Sequence, residues 1–148
     1  MKLLRVGDKG KEKPAVLDAN GKIRDISSAI KDLTPDNLTH LTIEKLKSLD
    51  LESLSELSNS ERIGSCISKP GKFVAIGLNY SDHAEETGAQ VPSEPIVFMK
   101  ATNCVNGPND DIEITSYSKK LDWEVELGIV IGKEAKNISE KDSNNHIL

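Results

Sequence analysis

Residues 122–132 read "DWEVELGIVIG", and every second side chain in this stretch is apolar. Glu124 and Glu126 occupy alternate positions between them. Successive side chains of a strand point to opposite faces, so this pattern predicts a β-strand with one buried apolar face and one face that carries both carboxylates. The apolar positions are Trp123, Val125, Leu127, Ile129 and Ile131.

The two glutamates allow two interpretations. Side chains two residues apart on a strand lie roughly 7 Å from each other, so the two carboxylates would repel unless a cation lay between them. Oxygen ligands suit Mg²⁺ first, with Mn²⁺ or Ca²⁺ as alternatives. The other interpretation is the solvated face of an edge strand, where carboxylates are common, and periodicity alone favours it.

Composition excludes several classes of protein. The chain has 148 residues with 36% hydrophobic and 29% charged residues, and its net charge of −5 gives no footprint for nucleic acid. The first fourteen residues, "MKLLRVGDKGKEKP", resemble neither a signal peptide nor a membrane span, so we expect no membrane partner and a cytoplasmic location. Cys66 and Cys104 form no CxxC pair, which indicates reduced structural thiols.

The order of patterns predicts two parts. Residues 1–68 are expected to form a small N-terminal α/β domain, with a hairpin whose two-residue turn is Asn20-Gly21, both at positive φ, and with short helices between residues 36 and 57. A Ser-, Gly- and Pro-rich linker covers residues 58–72.

Residues 69–148 are expected to belong to a mainly β (α+β) catalytic domain. Buried strands are predicted at 72–77 and 94–100, a turn leading into another strand at 106–114, and one short helix follows the first of these strands.

His83 and Glu86 lie three residues apart on that short helix, which we expect to have Asn79 or Ser81 as its N-cap and to end before Gly88. At this spacing the carboxylate could orient the imidazole, and a helix N-terminus disfavours the imidazolium, so His83 could act as a general base. A solvated helix that carries a surface His–Glu pair fits the spacing equally well and is the commoner case.

Three stretches, in this order, decide between these interpretations. The stretches "GKFVAIGLNYSDHAEETG", "EPIVFMKATNCVNGPNDDIEI" and "DWEVELGIVIGKEAKNIS" resemble the fumarylacetoacetate hydrolase family. Within it, they are most similar to a bacterial branch of ureidoglycolate lyases and 2,4-diketo-3-deoxy-fuconate hydrolases. The resemblance covers residues 70–148, and the first 27 residues also look like the opening of that branch.

The resemblance implies a β-roll catalytic domain, usually in a homodimer, that binds a divalent metal through an E-x-E pair and a later Asp. Glu124 and Glu126 match the pair. His83 and Glu86 match the dyad that activates water in related acylpyruvases. The expected reaction is hydrolysis of a carbon–carbon bond in a 2,4-dioxo acid, with cleavage of ureidoglycolate as the alternative.

The same resemblance suggests substrate-binding roles for Lys100, Asn79 and Tyr80. Many relatives carry Arg where this chain has Leu78, so substrate contacts at that position do not transfer. The later Asp has no counterpart before Leu148, and Asp142 comes too early. We therefore expect an incomplete catalytic domain, and an inactive fragment or an interaction module is the competing hypothesis.

Overall fold

The computed structural model describes residues 1–148, which form a mainly β structure with few helices, as the sequence predicts. Two α-helices and three short 3₁₀ segments accompany six strands. The helices are α1 (His40–Lys47) and α2 (Ser81–Glu86), and the 3₁₀ segments are Leu51–Ser53, Thr102–Cys104 and Glu140–His146. The strands are β1 (Lys2–Val6), β2 (Lys13–Leu17), β3 (Ile23–Asp25), β4 (Glu56–Leu57), β5 (Val74–Gly77) and β6 (Ile96–Met99). No helix of the chain is long enough and apolar enough to cross a membrane.

The first four strands form an antiparallel sheet in the order β1-β2-β3-β4. The predicted hairpin is present, because Leu17 pairs with Ile23 across the turn. The predicted turn type is wrong, since only Gly21 has positive φ, at 74°. Asp18 explains the difference: its Oδ1 accepts the backbone N–H groups of Asn20 at 2.8 Å and Lys22 at 2.9 Å, which closes a wider loop.

The main hydrophobic core lies between this sheet and the helical segment that follows it. Leu33 is fully buried and Leu46, on α1, is 1% exposed. Thr39 caps α1, since its side chain accepts the N–H of Thr42, and the helix is short, as predicted. The buried members of the core are Val16, Ile26, Ile30, Leu33, Leu38 and Leu46.

Residues 69–105 contain β5, α2 and β6. The two strands pair antiparallel from Val74 with Met99 to Gly77 with Ile96, at the predicted positions. The prediction that both are buried is wrong, because all four residues of β6 are exposed and only Ala75 of β5 is buried. A sheet of two strands has no second layer here to cover it.

The chain divides into two compact units. Unit A comprises Met1–Ser68 together with Asn106–Leu148, and unit B comprises Lys69–Val105. The boundary after Ser68 coincides with the expected one, whereas residues 106–148 group with the N-terminal part. The division into an N-terminal domain and a catalytic domain stays a prediction.

Residues 122–132 differ most from the structure that their sequence predicts. Residues 122–130 form no strand, and only Ile131 makes a bridge, to Ile147. The apolar side chains expected to be buried are exposed, from 58% at Ile129 to 88% at Val125. Val130, on the face expected to be polar, packs against the core instead. An alternating pattern becomes a buried strand only where a neighbouring strand accepts its backbone and another layer covers it, and these 148 residues supply neither.

The predicted strand at 106–114 is also absent, although its turn is present. The N–H of Asp110 donates to the carbonyl of Gly107 at 3.2 Å, and residues 111–115 continue without regular structure.

Candidate functional site

Glu124 and Glu126 lie in unit A, in a segment without regular secondary structure, and both side chains are exposed. Their carboxylates fit a hard divalent cation in kind. They do not fit it in number, because no group of three or more His, Cys, Asp or Glu side chains in the chain could hold a metal ion. These residues therefore provide at most part of a metal site.

His83 and Glu86 lie on α2 in unit B, and both side chains are exposed. The helix is anchored through Ala84, which is fully buried. No hydrogen bond joins the His83 imidazole to the Glu86 carboxylate, and their pairing stays a prediction. Solvent access to His83 is what a residue that activates water requires.

The ends of α2 explain its length. Its N-cap is Tyr80, without a side-chain hydrogen bond, so the predicted caps Asn79 and Ser81 are wrong. At the other end Gly88, with φ of 67°, donates its N–H to the carbonyl of Glu85, which confirms the predicted stop.

The three predicted substrate-binding residues also lie in unit B. Asn79 and Tyr80 are exposed and directly precede α2. Lys100 follows β6, its residue is half-buried, and its N–H donates to the carbonyl of Phe73 at 2.9 Å. Leu78 has a left-handed backbone with φ of 49°. A bulky residue in this conformation costs about 1–3 kcal/mol, and such strain clusters at functional sites.

Unit B thus contains five of the seven predicted site residues, and unit A contains the two glutamates.

Unit A also contains an ion-pair network that the sequence patterns do not predict. The Arg5 guanidinium donates to both oxygens of Asp32, at 2.6 and 3.1 Å, and to Glu12 at 3.3 Å. Arg62 donates to Glu12 at 2.9 Å and, with two nitrogens, to both oxygens of Asp110. These contacts join residues that are 7 to 50 positions apart, so no local sequence motif predicts them.

The network changes the acidity of its members. Burial alone would raise the pKa of Glu12, but hydrogen bonds from its own backbone N–H and from Arg62, with the charge of Arg5, hold that pKa below its ordinary value. Burial alone would also raise the pKa of Asp32. Hydrogen bonds from Arg5 and from the N–H of Leu33, with the charge of Arg5, hold that pKa below its ordinary value. The hydrogen bonds from Arg62 lower the pKa of Asp110.

Residues 72–148 match the C-terminal domain that defines the fumarylacetoacetate (FAA) hydrolase family. The chain belongs to this family. Members are generally dependent on a divalent metal.

Two curated relatives, from Burkholderia ambifaria and Burkholderia multivorans, are named for an inferred hydrolase activity. Each is 51% identical over 140 residues, which cover 95% of this chain and 50% of the relative. The chain thus spans about half the length of the curated relatives it matches.

Two solved structures share the fold over 99% of this chain and 52% of their own chains. One is a protein of Mycobacterium smegmatis assigned as HpcE, at 27% identity and a TM-score of 0.78. The other is fumarylacetoacetate hydrolase from the psychrophile Exiguobacterium antarcticum, at 26% identity and a TM-score of 0.76. They confirm the fold class that the sequence predicts.

Proposed function

We propose that this protein acts as a hydrolase of the acylpyruvate and fumarylacetoacetate type, cleaving a carbon–carbon bond in a 2,4-dioxo acid. The observation that carries the proposal is that the family match, residues 72–148, includes both the carboxylate pair and the histidine helix. The likeness to a solved fumarylacetoacetate hydrolase supports the same class of substrate.

In this proposal Glu124 and Glu126 supply two ligands of a divalent cation, Mg²⁺ in preference to Mn²⁺ or Ca²⁺. Their exposure and the oxygen chemistry of both side chains support the role. Such a cation would provide Lewis-acid stabilisation of negative charge on the substrate. A complete metal site needs further ligands, because no group of three or more His, Cys, Asp or Glu side chains in the chain could hold a metal ion.

His83 is the proposed general base. It takes a proton from water, the water oxygen forms a bond to the distal carbonyl carbon, and the adjacent carbon–carbon bond breaks with its electron pair left as an enolate that is then protonated. Glu86, one helical turn away, would orient the imidazole once the site is assembled, because catalytic hydrogen bonds often tighten only with substrate bound.

Lys100, Asn79 and Tyr80 are proposed to bind the substrate. Lys100 offers a cation for a substrate carboxylate, and Asn79 and Tyr80 offer exposed polar groups beside α2. The strained backbone of Leu78, immediately before them, supports a functional role for this junction.

A homodimer in the cytoplasm is part of the proposal. The exposed apolar side chains from Leu121 to Ile131 support association, because surfaces of this kind rarely remain uncovered in solution.

A second proposal, of another class, concerns the 148 residues themselves: this polypeptide is an inactive fragment or an interaction module. The incomplete metal-ligand set and the exposed segment that carries Glu124 and Glu126 favour it.

Calorimetric titration with Mg²⁺ and Mn²⁺ tests the metal site. We expect weak binding by the unmutated chain, none by the Glu124→Ala/Glu126→Ala variant, and unchanged binding by the control Glu113→Ala/Glu134→Ala, which removes two other exposed carboxylates. Equal binding by all three would refute the assignment of the two glutamates.

Activity assays with an acylpyruvate and with ureidoglycolate then separate the candidate reactions. His83→Ala and Glu86→Gln should lower turnover, by about 10²–10⁴-fold for the histidine, while Glu85→Gln on the same helix should not. Cleavage of ureidoglycolate alone would favour the lyase. No cleavage of either substrate at saturating metal would leave the second proposal.

A further inference from the structure

The main chain leaves unit A after Ser68 and re-enters it at Asn106. Ser68 is held at the exit, since its N–H donates to the carbonyl of Leu33 at 2.8 Å, and the N–H of Leu33 donates to Oδ1 of Asp32 at 2.8 Å. Asp32 in turn accepts two hydrogen bonds from Arg5. The exit point therefore rests on an Arg5–Asp32 pair.

The point of re-entry rests on a second pair of the same kind. Asp110 accepts the N–H of Gly107 at 3.0 Å, and both of its oxygens bind Arg62. Gly107 lies directly against the carbonyl oxygen of Ile63, so a Cβ at this position would collide with backbone. Lys9 adds a hydrogen bond to Asn106 at 3.4 Å.

Glu12 connects the two pairs. One carboxylate oxygen accepts from Arg62 at 2.9 Å and the other from Arg5 at 3.3 Å, with a further hydrogen bond from the N–H of Gly10. The Glu12 and Arg5 side chains are each only 7% exposed. Gly64 makes room for Glu12, because a Cβ there would lie 2.8 Å from its Oε1.

We propose that Glu12 is a positioning residue: it couples the two points at which unit B is joined to unit A. The charges alternate along the network, from Asp32 through Arg5, Glu12 and Arg62 to Asp110, and Glu12 is the one member that binds both arginines. Without its charge, each arginine keeps a single carboxylate partner and the two attachment points become independent. Buried Arg5 would also lose a partner that solvent does not replace.

This coupling has a consequence for catalysis, and that consequence rests on the proposed function. The residues proposed as base, orienting carboxylate and substrate cation, His83, Glu86 and Lys100, all lie in unit B. The polypeptide that carries them, residues 69–105, begins and ends at the two connections that Glu12 links. We expect loss of Glu12 to lower kcat while leaving the affinity of the Glu124–Glu126 pair for Mg²⁺ unchanged.

Site-resolved hydrogen exchange tests the coupling directly. Glu12→Gln should accelerate exchange of both the Ser68 and the Gly107 amides, by about tenfold or more, since a charge-assisted network is lost. Asp32→Asn should affect only the Ser68 end and Asp110→Asn only the Gly107 end. Glu44→Gln, which removes the exposed ion pair with Lys47 on α1, should affect neither.

Acceleration at one end alone in Glu12→Gln, or equal acceleration throughout the β1–β2 ladder, would overturn the proposal. Should Glu12→Gln fail to fold, Glu12→Asp keeps the charge on a shorter side chain and should give intermediate exchange at both ends; exchange identical to the unmutated chain would refute the need for a bridge of this length. Absence of turnover in the unmutated chain would count against the proposed function alone, because the exchange measurement needs no activity.

Discussion

Replacing Leu33 with Ala tests the core that supports unit A. Leu33 is fully buried and packs among the other members of the main cluster. The change removes three carbon groups, worth about 2.4 kcal/mol of transfer free energy at about 0.8 kcal/mol each. The cavity that remains brings the expected loss of unfolding free energy to about 3–5 kcal/mol.

Leu41→Ala is the matched control. It is also a leucine-to-alanine change, but it lies on α1 at a side chain that is 82% exposed. We expect a change within about 0.5 kcal/mol, since a surface substitution in a helix leaves no cavity and Ala favours helix.

Urea unfolding followed by far-ultraviolet circular dichroism measures both variants. Leu33→Ala should lower the midpoint with little change in slope, because the surface exposed on unfolding is nearly the same. A difference of less than about 1 kcal/mol between the two variants would refute the assignment of Leu33 to a close-packed core.

Three further predictions use other features of the chain. Trp123, the single tryptophan, is 86% exposed, so its fluorescence should show the red-shifted maximum of a hydrated indole and strong quenching by acrylamide; a blue-shifted maximum would contradict an uncovered segment. Gly107→Ala should destabilise unit A because its Cβ meets backbone, whereas Gly128→Ala, with open space around it, should not; equal midpoints in urea would contradict this. The folded-state pKa values of Glu12 and Asp32 lie below the ordinary values of 4.5 and 3.8, so the stability these residues contribute is present above those values and is lost as the pH falls through the folded pKa values; a urea midpoint that stays constant as the pH is lowered through this range would disagree.

Elements with short-range causes were predictable from the sequence. The hairpin that ends at Ile23 pairs neighbouring strands, and Gly88 stops α2 through its own backbone freedom. The turn of the hairpin was not predictable from Asn20-Gly21 alone, because Asp18 competes for the same N–H groups. Local signals fixed the presence of these elements more reliably than their details.

The ion-pair network was not predictable, because its members come from distant parts of the chain. Arg62 and Asp110 are 48 residues apart, and nothing in either neighbourhood requires an ionic partner. The only sequence features that the network requires, apart from its charged members, are two glycines. Gly64 admits Glu12 and Gly107 admits the carbonyl of Ile63, but the reason for each becomes apparent only in the folded chain.

Strand formation by the segment that carries the carboxylate pair and metal binding by that pair depend on the same missing partner structure. Glu124 and Glu126 alternate with side chains such as Trp123 and Val125, and here both sets are exposed. A neighbouring strand together with a covering layer would bury the apolar face and, at the same time, fix the two carboxylates side by side on the opposite face. Fixing the two carboxylates in place strengthens cation binding, so metal affinity should be coupled to formation of the strand. The alternation predicts a strand and the E-x-E spacing predicts a metal site. Both the strand and the site would therefore form together, when the segment gains its partners.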